Sequence, residues 1–303
     1  IIMKFVVTGG AGFIGSHIAK FLVKNNHKVT VIDDLSRGSK DNLKEIEDVI
    51  KFYQVDISNF EDLSSVIDEP DCIFHQAALA SVPQSFKEPE KYHKVNVIGT
   101  ENIFKIAKKF HSKVVFASSS SVYGDQTIFP IEEKATKNPL NPYGQTKLDA
   151  EKLASKYAAE GLRVIGLRYF NVFGIGQNPS YAGVIPQFIE KLSKHESPII
   201  EGDGNQIRSF TFIDDVVRAN YLAFESNIDH DFFNIATEHM TSINELAELL
   251  IKMSNLDLKS IYKNSRQGDI RKSYADISKV KKLLGWYPEV NLENGLKKIF
   301  PKI

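Results

Sequence analysis

With 303 residues, 42% of them hydrophobic, the chain has the length for one large α/β domain, or for one such domain with a smaller companion. Lys plus Arg and Asp plus Glu both number 38, so the formal net charge is zero, which argues against a protein built to grip nucleic acid or an anionic membrane. The single cysteine, Cys72, can make no intramolecular disulfide and fits a reducing cytoplasm, and no run of about 18 apolar residues is present to span a bilayer.

Ile1 and Ile2 stand ahead of Met3 without a charged leader, so a soluble, unprocessed protein is expected. Strand-like and helical runs then alternate. KFVVT is followed by the helical pattern GFIGSHIAKFLVKNN, the strand KVTVID and a short helix near 40–47. Further strands are expected at IKFYQVD, CIFHQ, KVVFAS and RVIGLRYF, with helices between them at about 59–67, 88–110 and 143–160. These strands are apolar throughout, as strands covered on both faces must be, so the expected fold is α/β with a doubly wound parallel sheet. After Phe173 the texture changes to Gly, Asn and Pro in GIGQNPSYAG. A smaller C-terminal α/β region is expected to begin there, with helices at about 241–253 and 276–284, while DFFNIAT reads as a buried strand returning to the first sheet.

The stretch TGGAGFIGSH places Gly9, Gly12 and Gly15, with Phe13 and Ile14 between them, at a strand-to-helix junction. Glycine there lets the backbone turn tightly and approach a pyrophosphate, which rests on the amide dipoles of the helix N-terminus. The next strand ends in VIDD, and a carboxylate at Asp33 can accept both ribose hydroxyls and repel a 2′-phosphate. NAD is therefore expected rather than NADP; Arg37, four residues on, is the feature that speaks for NADP.

In NPYGQTKLDAE, Tyr143 and Lys147 lie four residues apart, about one helical turn, and so share a face. Such a pair is either a solvated surface or proton-transfer equipment. Four serines stand at the end of the fifth strand in FASSSSVYGD, where a hydroxyl points into the crevice at the carboxyl ends of parallel strands.

The glycine fingerprint with Asp33, HQAALASV, SSSSVYG, the Tyr143 and Lys147 pair, LRYFNVFG, GDGNQIRSF and RQGDIRKSYAD follow in an order that resembles the extended short-chain dehydrogenase/reductase family. The resemblance covers nearly the whole chain and is strongest to the nucleotide-sugar 4-epimerases. It implies a NAD-binding Rossmann domain at 1–172 to which about 211–239 returns, and a nucleotide-sugar-binding region at about 173–210 and 240–303. Tyr143 matches the catalytic base, Lys147 the lysine on the nicotinamide ribose, and Ser119 the serine on the sugar 4′-oxygen, with Ser118, Ser120 and Ser121 as neighbouring alternatives. Asp56 and Ile57 match the adenine contact, Ala77, Ala78 and Leu79 the backbone beside the cofactor phosphates, and Asn96 and Tyr169 further cofactor positions. Asn171, Arg208, Arg266 and Asp269 match the residues that hold uridine diphosphate. A homodimer built on the helices at about 88–110 and 143–160 is implied as well.

The residue chemistry agrees with these roles. A free tyrosine ionises near pH ~10, so a phenolate base at neutral pH needs positive neighbours, which Lys147 and an oxidised nicotinamide would supply. Guanidinium forks at Arg208 and Arg266 suit a diphosphate. The expected activity is NAD-dependent 4-epimerisation of UDP-hexoses through a 4-keto sugar. Ser273 stands where members restricted to UDP-glucose and UDP-galactose carry a tyrosine, so the N-acetylated pair is expected to be accepted too. A 4,6-dehydratase of this family carries an Asp-Glu pair where this chain has Ser120 and Ser121, which weighs against dehydration. A uronate epimerase and a non-catalytic NAD-sensing protein are the other readings.

Overall fold

The computed structural model describes residues 1–178, 183–265 and 270–300. Six strands, β1 (Lys4–Thr8), β2 (Lys28–Asp33), β3 (Lys51–Gln54), β4 (Cys72–His75), β5 (Lys113–Ser119) and β6 (Val164–Tyr169), join the later strand His230–Ile235 in one sheet. Its order is His230–Ile235, β6, β5, β4, β1, β2, β3, and every pairing is parallel. The chain runs outward from β1 to β3 and then crosses back to β4. The carboxyl ends of β1 and β4 therefore part at a topological switch point, where a crevice must open.

Burial explains why these strands read as apolar runs. All four residues of β4 and all six of β6 are buried. Successive side chains serve opposite faces: Phe5, Val7, Val31, Phe74 and Val115 belong to one core, while Val6, Ile32, Ile73, Val114 and Phe116 belong to the other. The first core continues into the C-terminal region through Phe173, Phe188, Phe210 and Trp286.

Helix α1 (Phe13–Lys24) follows the glycine turn directly, and α2 (Phe60–Val66) is capped by Asn59. The helix expected at about 88–110 proves to be compound. A separate helix, α3 (Val82–Lys87), precedes it and ends at Glu88, which the following Pro89 keeps out of the helical region. Then come α4 (Pro89–His93), a π turn (Lys94–Ile98) and α5 (Gly99–Phe110). Helix α6 (Pro142–Ala159) starts where Asn141 accepts the Gly144 amide at 2.8 Å, with Pro142 supplying a preset φ in the first turn. The helix expected near 40–47 is a single 3-10 turn, Lys40–Leu43.

Besides α3, three helices among the described residues had no sequence expectation: Val184–Ser193, Ile213–Glu225 and Leu292–Ile299. Ile213–Glu225 buries Ile213, Val216, Val217, Asn220 and Ala223 on one face, and Asp214 and Asp215 complement its N-terminal dipole. Asp215 also ties the C-terminal region down. Its oxygens accept the Glu289 and Val290 amides at 3.0 Å, and its carbonyl accepts the Trp286 indole at 2.8 Å. In that region the short strands Ile207–Arg208, Thr241–Ser242 and Lys272–Ser273 make one small sheet.

Candidate functional site

At the switch point lies a crevice of about 500 Å³. Its floor begins with the glycine turn. Gly9 has φ +64, and a Cβ there would come 2.6 Å from the Ala77 nitrogen; one at Gly15 would come 2.2 Å from the Gly9 carbonyl. A Cβ at Gly12 would meet only the Gly9 carbonyl within 4 Å, so its missing side chain leaves open space on the crevice. Gly12 is also the N-cap of α1, with no side-chain cap bond and no acidic residue in the first turn. The helix start thus offers amides and partial positive charge to an anion, and Phe13 and Ile14 border the same space.

Asp33, 7% exposed, closes β2 beside this turn. Its carboxylate accepts the Ala11 amide at 3.0 Å and the Leu35 amide at 2.8 Å. Burial pushes its pKa up, and the backbone hydrogen bonds pull it back. A cradle that only a missing Cβ leaves open, an uncapped helix start and a fixed carboxylate together fit a dinucleotide. Asp56, Ile57, Ala77, Ala78, Leu79 and Tyr169 line the same crevice. Arg37 lines it as well, with one nitrogen donating to Gln84 Oε1 at 2.8 Å.

Asn96 is placed differently. It is buried behind the crevice wall, with Oδ1 accepting the Leu79 amide at 2.8 Å and Nδ2 donating to the Leu79 carbonyl at 2.9 Å. Nδ2 also reaches Thr146 Oγ1 at 3.0 Å, and that hydroxyl donates to the Tyr143 carbonyl at 2.7 Å. Asn96 therefore touches the crevice through Leu79 and the start of α6. The π turn puts it there, since an extra residue in the turn shifts the facing of the helix.

At the other end of the crevice stand Tyr143, Lys147 and Ser119. Lys147 Nζ lies 5.9 Å from the centroid of the Tyr143 ring and donates to the Ala117 carbonyl at 2.8 Å. Burial pulls its pKa down to about 8, against an upward pull from Glu151. Burial pushes the Tyr143 phenol up, and a hydrogen bond with Ser119 opposes that rise. The four serines separate cleanly. Ser118 donates to Glu151 Oε1 at 2.6 Å, Ser119 meets Tyr143, and Ser120 and Ser121 fall in the 3-10 turn Ser120–Val122, away from the crevice lining.

Of the residues matched to the nucleotide, Asn171 lines the crevice and donates to the Ser209 carbonyl at 3.0 Å. Arg208 and Ser273 lie beyond it on adjacent short strands, paired in register, and Ser273 is 8% exposed. Arg266 and Asp269 lie outside the described residues. The structure adds lining residues without a sequence expectation, among them Ser39, Asn42, Gln76 and Gln177. Ser39 and Asn42 both bind the Ala11 carbonyl, at 3.0 and 2.8 Å, and the turn-rich RGSKDN after VIDD was their signal. Among the described residues, no group of three or more His, Cys, Asp or Glu is placed to hold a metal ion, and no helix is long and apolar enough to cross a membrane.

Comparison with solved structures sets this chain beside a UDP-glucose 4-epimerase of Thermotoga maritima determined with UDP-glucose. The two are 39% identical with a TM-score of 0.95, over 99% of this chain and 98% of that one. A UDP-N-acetylglucosamine 4-epimerase of Methanobrevibacter ruminantium M1, determined with UDP-N-acetylmuramic acid, is 37% identical with a TM-score of 0.92, over 98% of each chain. A UDP-glucuronate 4-epimerase of Thermodesulfobacterium geofontis is 35% identical over 306 residues, covering 97% of this chain and 94% of its own. Residues 5–236 match the profile of the NAD dependent epimerase/dehydratase family. With that match over most of its length and a crevice shaped for a dinucleotide, this chain belongs to the NAD-dependent epimerase/dehydratase family.

Proposed function

We propose that the protein is a 4-epimerase of UDP-hexoses, acting on UDP-glucose and UDP-galactose and also on UDP-N-acetylglucosamine and UDP-N-acetylgalactosamine. One observation carries this reading. Tyr143, Lys147 and Ser119 converge at an end of the crevice that has no carboxyl group in its described lining; the acidic residues among that lining, Asp33, Asp34 and Asp56, stand at and just past the ends of β2 and β3, at the other end. Proton transfer to and from a hydroxyl is supported there. A dehydratase would need an acid to protonate its leaving group, and Ser120 and Ser121 stand where that acid would be.

Tyr143 takes the proton of the sugar 4-hydroxyl and later returns it, while Ser119 holds the 4-oxygen and steadies the tyrosine. Bound NAD supplies the hydride acceptor and donor for C4, and a positive charge that favours the tyrosinate. Lys147, kept from solvent, orients the cofactor ribose and adds its own charge. Asn171, Arg208, Arg266 and Asp269 hold the uridine diphosphate, so that the region at about 173–210 and 240–303 carries the nucleotide sugar and 1–172 with about 211–239 carries NAD. Ser273, beside Arg208, leaves room for an N-acetyl group at C2. A homodimer through the helices at about 88–110 and 143–160, on the strength of the resemblance, and a place in the cytoplasm, on the strength of the lone Cys72, complete the proposal.

A uronate 4-epimerase is the second reading, favoured by the Thermodesulfobacterium geofontis relative. A uronate carboxylate is held most strongly by a cation near C6, and less strongly by hydroxyl and amide donors. The cations among the described crevice lining are Arg37, which follows β2, and Lys147, which is bound to the Ala117 carbonyl, so a neutral hexose is favoured. A protein that only senses NAD would have no need to bring Tyr143 and Ser119 together. The test is incubation of the purified protein with each UDP-sugar and chromatographic separation of the C4 epimers. Conversion of UDP-glucuronate with neutral sugars untouched would overturn the proposal.

A further inference from the structure

One turn beyond Lys147 on α6 stands Glu151, 4% exposed. Its two oxygens meet the fork of the buried Arg168, with Nε to Oε1 at 2.8 Å and Nη2 to Oε2 at 2.7 Å. Oε1 also accepts from Ser118 Oγ. Arg168 spends Nη1 on Tyr123 Oη at 2.8 Å and on the Glu133 carbonyl at 3.0 Å. Ser118 and Arg168 are direct partners across β5 and β6, so the cluster joins α6 to both strands behind the crevice.

Stability alone is a poor reason for such a cluster, because apolar residues in place of a buried ion pair often leave a protein equally or more stable. Two of its effects reach the site. Ser118 and Ser119 point to opposite faces of β5, and Glu151 anchors the first while the second meets Tyr143, so the clamp holds the strand end that presents Ser119. The Glu151 carboxylate also opposes the loss of charge that burial imposes on Lys147. Other charged or titratable groups near these two are Arg168 from β6, Tyr123 after β5, Lys137 before α6 and His75 from β4. Burial holds His75 neutral, so it adds no competing charge.

We propose that Glu151 is a positioning residue of the reaction centre: clamped by Arg168, it anchors Ser118 and with it the end of β5 that presents Ser119 to Tyr143, and it sets a negative charge one turn behind Lys147. This rests on the reading of Tyr143 and Lys147 as the proton-transfer pair. The test compares rate–pH profiles of the NAD-loaded wild type, Glu151→Gln, the double variant Glu151→Met/Arg168→Met and Tyr143→Phe, on the UDP-sugar that the wild type turns over fastest. In both Glu151 variants the alkaline limb should move down by about 1 pH unit, while the rate at the optimum falls less than about tenfold. The double variant should unfold at a temperature no lower than the wild type. An unmoved alkaline limb, or a loss of rate uniform across pH, overturns the proposal, and so does a double variant that cannot fold, since the cluster is then structural. Tyr143→Phe tells the two levels apart. If it is inactive while the Glu151 variants keep the wild-type profile, this proposal alone fails; if it turns over like the wild type, the proton-transfer reading fails and takes the proposal with it.

Discussion

The side chain of Asn96 grips both backbone groups of Leu79, taking its amide at 2.8 Å and giving to its carbonyl at 2.9 Å. Leu79 lines the crevice, so this clamp sets a stretch of the wall proposed to hold the dinucleotide. Asn96→Ala leaves a buried amide and a buried carbonyl without partners, at about 1 to 3 kcal/mol for each. The expected outcome is a lower melting temperature together with faster loss of NAD on dialysis. A variant that loses stability and keeps wild-type NAD retention would reduce Asn96 to a structural role.

Asp33 stands between two tasks, since its oxygens already receive the Ala11 and Leu35 amides while it borders the crevice. Asp33→Ala should weaken NAD binding and narrow the preference over NADP, because in the proposed site the carboxylate would both accept ribose hydroxyls and repel a phosphate. Titration of both cofactors into stripped protein checks this. Unchanged selectivity would shift the discrimination to Arg37.

His75 gives the fold an acid-sensitive point. The Thr100 hydroxyl donates to the Asn96 carbonyl at 2.6 Å, so its oxygen accepts from His75 Nε2 at 2.8 Å, and Nδ1 then accepts from Thr8 at 2.6 Å. Burial drops the pKa of this neutral ring from 6.5 to about 3. A folded pKa below the unfolded one means that the unfolded chain binds the proton more readily. The contribution is therefore complete above about pH 6.5 and is lost as pH falls toward 3. Between pH 7 and pH 5 the wild type should lose about 2 kcal/mol through this group. His75→Gln should lose less across the same interval in urea unfolding, and an identical loss would refute the assignment.

What the sequence showed clearly was whatever local spacing controls. Strands covered on both faces wrote themselves as apolar runs, the glycine turn announced the helix start at Phe13, and four residues put Tyr143 and Lys147 on one face. What it hid depends on distant partners. Ser118 and Ser119 are chemically identical, and their partners are distant or non-periodic: Ser118 donates to Glu151, 33 positions away, while Ser119 caps the 3-10 turn and meets Tyr143. The π turn at Lys94–Ile98 leaves no periodic signature, yet it turns Asn96 onto Leu79. Likewise, the pairing of Arg208 with Ser273 joins strands of two residues each, too short to be read from alternation.

Ser273 is 8% exposed and directly opposite Arg208 on the small sheet. Ser273→Tyr adds an aromatic ring to a packed position, and such overpacking typically costs about 1 to 3 kcal/mol. Turnover of the N-acetylated UDP-sugars should fall at least tenfold, with UDP-glucose largely retained. Equal losses on both substrate types would mean that position 273 does not set the space at C2.

In the proposed reaction Tyr143 moves the proton of the 4-hydroxyl while the hydrogen on C4 leaves and returns without meeting water. The most direct measurement is the fate of deuterium at C4 of UDP-glucose, incubated with the purified protein in ordinary water and followed by NMR. The predicted result is UDP-galactose that keeps its deuterium at C4, with no net formation of NADH, and no product above about 1% of the wild-type rate from Tyr143→Phe. Product formed with deuterium washed out to solvent, or wild-type turnover by Tyr143→Phe, would contradict it.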